Sequence, residues 1–278
     1  MRDLPQADEF EDLVKAMESA LTIADSEYVD KLNQSLASVG SVIRLSVAET
    51  CNFQGSAHYN LGEYLETISD YDQAIKLNPN YALAYCNRGN ARNKLGDNQG
   101  ALEDYNQALR LDPDLADAYY ERGNIRYDLK DKQGALEDYS QAIRLDPNHA
   151  LAYHNRGFAY SNGVARTPKF VTNQQRALED YNQAIRLDPN LAGAYHNRGV
   201  ARSYLNDEQG ALEDYNQAIR LSPHDSLAPY FNRGNIRARL GDKPGAIADL
   251  QQAANLFQQR GDTRMYIEVI NRIGELQE

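Results

Sequence analysis

A block of about 34 residues recurs along this chain, and the recurrence limits the fold before any motif is considered. Residues 82–115 read ALAYCNRGNARNKLGDNQGALEDYNQALRLDPDL, and residues 116–149 read ADAYYERGNIRYDLKDKQGALEDYSQAIRLDPNH. The pattern starts again at Ala150, Ala192 and Leu227. Two independent markers agree on the period. Gly55, Gly89, Gly123, Gly157, Gly199 and Gly234 are 34, 34, 34, 42 and 35 residues apart. Pro79, Pro113, Pro147, Pro189 and Pro223 are 34, 34, 42 and 34 apart. Such a chain stacks one small unit on the next, each covering its neighbour's apolar face.

Within a unit the spacing predicts two helices. In the block that starts at Ala82, Tyr85, Gly89, Arg92 and Leu95 share one side of a first helix. Gly96-Asp97 signals a turn. Ala101, Tyr105, Ala108 and Leu109 then keep helical spacing on a second helix, which Asp112-Pro113 stops. Gly89 and Ala101 let the two backbones approach, and Tyr105 fills the space beside them. Tyr occurs 19 times and Trp not at all, as expected if one structural position is filled repeatedly.

These residues resemble the tetratricopeptide repeat, whose eight signature positions are W-L-G-Y-A-F-A-P. Here Tyr85, Arg88, Gly89, Arg92, Ala101, Tyr105, Ala108 and Pro113 occupy them; six fit in kind, and the two arginines depart. The resemblance covers residue 48 to about residue 260. It implies an all-α, right-handed superhelix of six helix-turn-helix repeats: 48–81, 82–115, 116–149, 150–191, 192–226 and 227–260. The first repeat is divergent, with Cys51, Gly55, Leu61, Tyr71, Ala74 and Pro79 in register; in the sixth, Leu250 replaces the tyrosine.

Residues 1–47 and 261–278 flank the array. Phe10, Leu13, Val14, Met17 and Leu21 mark one helical stretch, and Val29, Leu32, Leu36, Val39 and Ile43 another. These predict an added helical pair or a repeat too divergent to register. Tyr266, Ile267, Ile270, Ile273 and Leu276 are expected on the buried face of a C-terminal capping helix. The fourth repeat carries eight extra residues near 161–175, expected as a loop between its helices. Arg166, Lys169 and Phe170 would make that loop basic with one exposed aromatic.

Composition excludes several functions. Over 278 residues, 29 basic and 40 acidic side chains give a net charge of −11, which argues against a phosphate-backbone binder. No stretch is apolar enough to span a membrane. Cys51 and Cys86 are too few for a disulfide framework and are expected as free thiols. The first twenty residues lack the apolar core of a signal peptide, so a cytoplasmic setting is expected. There is no phosphate loop, no zinc-protease motif and no nucleophile elbow, and no cofactor or catalytic residue is expected. His154 and His196 hold one position in adjacent repeats, but two histidines without a third ligand make no convincing metal site.

Arginine and aspartate recur together. Arg88, Arg122, Arg156, Arg198 and Arg233 hold one first-helix position, and Arg92, Arg126, Arg202 and Arg237 follow four residues later. Asp104, Asp138, Asp180, Asp214 and Asp249 hold one second-helix position. Recurrence argues for a structural ladder, since a catalytic pair is needed once. The resemblance implies that the first helices line a concave ligand face. There Asn87, Asn155, Asn197 and Asn232 form one column, and Asn90, Asn124 and Asn235 another. Each amide offers a donor and an acceptor to a peptide backbone. The column resembles the asparagine ladder in the repeat domain of O-linked N-acetylglucosamine transferase. The other reading is that Asn is merely tolerated on a crowded, exposed helix. Tyr120, His154, His196 and Phe231 vary at a neighbouring position, as a surface reading different side chains would. A non-enzymatic scaffold binding a protein segment in this groove is the expected function. The alternative is an assembly subunit that docks folded partners through edges, loop and acidic N-terminal helices. A homo-oligomer is left open without being implied.

Overall fold

A computed structural model describes residues 26–162, 168–224 and 226–278. The stretch Phe10–Leu21 and Arg166 lie outside the described residues. Two compact units divide the chain, one ending at Ala118 and the other beginning at Tyr119. The architecture is an all-α helical-repeat solenoid.

The unit ending at Ala118 holds α1 (Ser26–Leu61), α2 (Tyr64–Leu77), α3 (Ala82–Lys94) and α4 (Asn98–Leu111). Helix α5 (Ala116–Asp128) crosses the boundary in its first turn. The other unit continues with α6 (Lys132–Leu145), α7 (Ala150–Ser161), α8 (Pro168–Leu187) and α9 (Ala192–Tyr204). It ends with α10 (Glu208–Leu221), α11 (Leu227–Arg239), α12 (Lys243–Gln259) and α13 (Thr263–Gln277). Among the described residues no helix is long and apolar enough to cross a membrane.

Each repeat is closed by an aromatic ring against a glycine. Tyr71, Tyr105, Tyr139, Tyr181 and Tyr215 are at most 2% exposed. A Cβ added at Gly89 would stand 2.9 Å from the Tyr105 ring, and one at Gly199 would stand 2.7 Å from Tyr215. No real Cβ sits that close, so the first helix must carry glycine where the ring lies. Burying each ring contributes about 1.5–3 kcal/mol. In the sixth repeat Leu250 takes the ring's place beneath Gly234.

The turn between the paired helices repeats as well. Asp97, Asp131, Asp207 and Asp242 cap the second helices by accepting from the N–H three residues on. The preceding residue is left-handed: Gly96 at φ 82°, Lys130 at 70°, Asn206 at 66° and Gly241 at 85°. Leu95 is 47% exposed at the end of α3. Leu61 is likewise 71% exposed at the end of α1.

Three expectations about the flanks and insertion change. Helix α1 is continuous, so no break separates residues 47 and 48. Its described N-terminal half leaves Val39, Val42, Ile43 and Leu45 exposed. The fourth-repeat insertion is in large part helix: α8 spans 20 residues where α6 spans 14. Phe170 is 8% exposed, not a surface aromatic, and meets the Tyr204 ring edge-on at 5.1 Å. In α13 the buried residues are Val269 and Ile273, packed on Leu250, Ala253, Ala254 and Phe257. Ile267 and Ile270, placed on that face by the sequence, are 53% and 42% exposed. Cys51 and Cys86 are buried and are not joined in a disulfide.

Candidate functional site

The recurring charges resolve into buried networks within the repeats that carry them. Arg88 donates to Asp104 through Nε (3.0 Å) and Nη2 (2.6 Å), and Arg92 Nη1 adds a third bond at 2.9 Å. The same three bonds join Arg122 and Arg126 to Asp138. Arg198 and Arg202 hold Asp214, and Arg233 and Arg237 hold Asp249. Each first arginine also lies over the tyrosine three residues before it, as Arg88 does on Tyr85 at 5.4 Å. It then reaches the preceding repeat: Arg88 donates to Asp72, Arg156 to Ser140, Arg198 to Asn182 and Arg233 to Asn216. Because these guanidiniums have acceptors on two repeats, they are structural.

The asparagine column joins first helices. In the first unit Asn87 Nδ2 donates to Asn52 Oδ1 at 3.2 Å. In the second, Asn155 Nδ2 donates to Tyr120 Oη (3.2 Å) and Asn124 Oδ1 (2.8 Å). Asn197 Nδ2 lies 3.2 Å from His154 Nε2, and Asn232 Nδ2 lies 3.1 Å from His196 Nε2. An amide NH2 only donates, so both histidines accept through Nε2 and carry their proton on Nδ1. Burial pushes both rings down to about 4, with each ring's neutral form favoured. His154 Nδ1 has no acceptor among the described residues.

The varied neighbours of that column are half-buried rather than fully exposed. Tyr120 packs on the His149 ring at 4.6 Å and on Tyr139 at 6.2 Å. His154 meets Tyr181 at 5.9 Å, His196 meets Tyr215 at 5.9 Å, and Phe231 meets Phe257 at 6.5 Å. Inter-helix packing therefore shapes these side chains as much as any ligand would. His149, remote in function from that row, caps α7 through Nδ1.

The second asparagine column binds the tyrosines of its own repeats, and Asn124 serves the next repeat as well. Tyr105 Oη donates to Asn90 Oδ1 at 2.6 Å, and Tyr139 Oη to Asn124 Oδ1 at 2.9 Å. Asn235 stands apart, with no such partner among the described residues. It lines an open cavity of about 350 Å³ with Asn232, Tyr204, Arg239 and Arg272. The two arginines were not singled out in the sequence, because neither lies in a recurring column. The tyrosine–asparagine pairing was not read from the sequence, which offered Asn90 and Asn124 to a ligand, although both pairs keep the same spacing of 15 residues. Among the described residues no group of three or more His, Cys, Asp or Glu is placed to hold a metal ion.

Comparison with known proteins is consistent with this geometry. A family model described as TPR repeat matches residues 55–96, 89–130, 123–163 and 173–203. A second, described as tetratricopeptide repeat, matches residues 192–225. Solved structures with the same fold include pilF of Pseudomonas aeruginosa, at a TM-score of 0.70 and 16% identity over 82% of this chain and 99% of that one. MamA matches at 0.53 and 24% identity over 61% of this chain and 94% of its own. YrrB, described as a TPR protein with an unusual peptide-binding site, matches at 0.52 and 25% identity over 64% and 88%. No curated protein sequence matches the chain.

Proposed function

Because this chain belongs to the tetratricopeptide repeat family, we propose that it is a non-enzymatic protein-interaction scaffold holding a segment of a partner protein along its first helices. One observation carries the reading. Asn155, Asn197 and Asn232 are half-buried, and each NH2 is fixed on the first helix of the preceding repeat. Their carbonyl oxygens are then pre-oriented acceptors for the N–H groups of an extended backbone, whatever its side chains. Such pre-organisation lowers the ordering cost of binding. YrrB, with its peptide-binding site, supports the class of ligand.

The test uses a phage-displayed library of random dodecapeptides, selected on the full chain. The consensus peptide is then titrated calorimetrically. Replacing both Asn155 and Asn197 with Ala removes two backbone acceptors, each worth about 0.5–1.5 kcal/mol, so affinity should fall about 5- to 150-fold. Unchanged affinity in a folded double variant removes the asparagines from the site.

A second reading is favoured by a groove of about 770 Å³ in the same unit, between α6 and α8. Lys132, Arg144 and Arg176 line it with a single acid, Glu137. A folded partner docking there would tolerate loss of the asparagines and respond to Arg144→Glu.

A further inference from the structure

The groove between α6 and α8 coincides with two breaks in the repeat. The residue after each second-helix tyrosine receives the first arginine of the next repeat: Asp72 from Arg88, Asn182 from Arg198 and Asn216 from Arg233. In the third repeat that residue is Ser140, which receives Arg156 at 3.2 Å and turns its own hydroxyl to the Leu136 carbonyl at 2.7 Å. Serine lacks the planar head of aspartate or asparagine, which leaves space beside α6. The second break is the early start of α8 at Pro168, whose Asn173 and Arg176 form the opposite wall together with Tyr160 of α7.

The charges here differ in kind from the buried network. Arg144 Nε donates to the neutral Gln141 Oε1 at 3.0 Å, and Arg176 lies over the Tyr160 ring at 5.7 Å. Both arginines are exposed, and neither forms an ion pair among the described residues. Glu137 is the one acid among the described lining residues, and it accepts from Gln133 at 2.9 Å. With Lys132 the lining carries three cations against one anion, in a chain of net charge −11. Leu136 and Tyr160 add apolar surface.

We propose that this groove docks an acidic, amphipathic helix of a partner protein, its apolar side chains on Leu136 and Tyr160 and its carboxylates on Arg144 and Arg176. The proposal deepens the second reading above and rests on it. Lys132 and Arg144 stand 12 residues apart on α6, about 18 Å, the length of three turns of a docked helix. Gln133, Ser140 and Gln141 are already engaged by their neighbours. An extended backbone would find few partners for its own donors and acceptors here, whereas a helix satisfies them internally and offers only side chains. The two guanidiniums, met only by neutral groups, select carboxylates, which their planar forks match. A nucleic acid would carry its charge past the groove onto the acidic remainder of the chain; a helix confines its acids to one face.

The test is a phage-displayed library built on a small three-helix-bundle scaffold, randomised over one exposed helix face. It is selected on the full chain and counter-selected on a variant carrying both Arg144→Glu and Arg176→Glu. The selected face is expected to place Asp or Glu beside apolar residues at i, i+3 or i+4 spacing. Arg144→Ala and Arg176→Ala should each weaken the consensus binder about two- to fivefold, as loss of an exposed ion pair does, and added salt should weaken it too. Replacing the binder's acids by Lys should restore its affinity for the doubly reversed variant, a rescue that a folding defect cannot give. That variant should keep the wild-type urea midpoint, since neither arginine is bound to the core. Binders lost on the variant yet free of acids overturn the acidic helix and leave the groove as a docking site. A selection that yields no binder discriminating the two proteins overturns the groove reading itself. Self-association of the full chain in sedimentation, abolished by the same two substitutions, makes a second copy the occupant and overturns the partner assignment.

Discussion

Replacing Asp138 by Ala tests whether the arginine–aspartate network is structural. Asp138 is 2% exposed and accepts three bonds: Arg122 Nη2 at 2.7 Å, Arg122 Nε at 3.0 Å and Arg126 Nη1 at 2.9 Å. Charge-assisted bonds are worth about 1.5–3 kcal/mol each, but that gross sum is offset by desolvation of the ions. Two responses soften the loss. Arg126, at 29% side-chain exposure, can lean toward Asp131, now 3.9 Å away. Arg122, at 14%, is held over Tyr119 and has less room to reach water. One-sided removal of a buried partner then costs about 3–5 kcal/mol. Urea unfolding followed by circular dichroism measures it, with amide exchange on α5 and α6 as the local readout, since repeats couple mainly to their neighbours. A loss under about 1 kcal/mol is what an exposed ion pair gives, and would refute the buried-network account.

Asp180 should behave differently. Among the described residues it accepts from Arg156 alone, and burial raises its carboxyl above the usual range with Arg156 opposing. A carboxyl whose folded-state value is raised favours folding in its protonated form and loses that contribution as pH rises through the raised value, so Asp180→Asn should cost less in urea unfolding at neutral pH than Asp138→Asn. Lys130 holds a left-handed backbone at φ 70°, and Lys130→Gly should raise stability by up to about 1 kcal/mol in the same measurement. His154 and His196 are buried neutral with values near 4, against 6.5 unperturbed. Their contribution is complete above about pH 6.5 and is lost as pH falls through 4, on the order of 3 kcal/mol each; His154→Gln with His196→Gln should flatten the acid limb of a stability–pH curve, and an unchanged limb would show these rings are not responsible.

The repeat, the paired helices and the role of Gly89 against Tyr105 were legible in the sequence, because each rests on a side chain repeated at fixed spacing. The arginine–aspartate ladder was legible for the same reason. What escaped lay where the period breaks or the chain ends. Phe170 looked exposed because Pro168 and the polar residues near it read as loop; Pro168 instead starts a helix, a position where its missing N–H costs nothing. Ile267 and Ile270 share a stripe with Ile273 in a helical plot, but only the side facing Phe257 is covered, and Val269 takes that place. The asparagine column was legible as a column, not as a set of bonds. Its NH2 groups turn to the preceding repeat because Tyr120, His154 and His196 stand there, which depends on stacking geometry.

The departures of the fourth repeat are linked to one another. In a regular repeat the second arginine has three acceptors: Arg202 meets Asp207 at 3.5 Å, the Gly210 carbonyl at 3.0 Å and Asp214 at 3.0 Å. The first two come from the capping turn of the second helix. In the fourth repeat that turn is absent, since α8 already runs from Pro168, Asn173 replaces the capping aspartate and Arg176 replaces the glycine. An arginine on the first helix would there lose its carboxylate at the turn and face a second cation. Tyr160 stands in its place, and Arg176 lies over the Tyr160 ring at 5.7 Å. The exchange moves the cation from the first helix to the second, which leaves Asp180 with one guanidinium and puts Arg176 on the wall of the 770 Å³ groove. Extending α8 thus changes the outer surface and weakens the buried network of the same repeat, and the lower cost expected of Asp180→Asn is the measurable trace of that exchange.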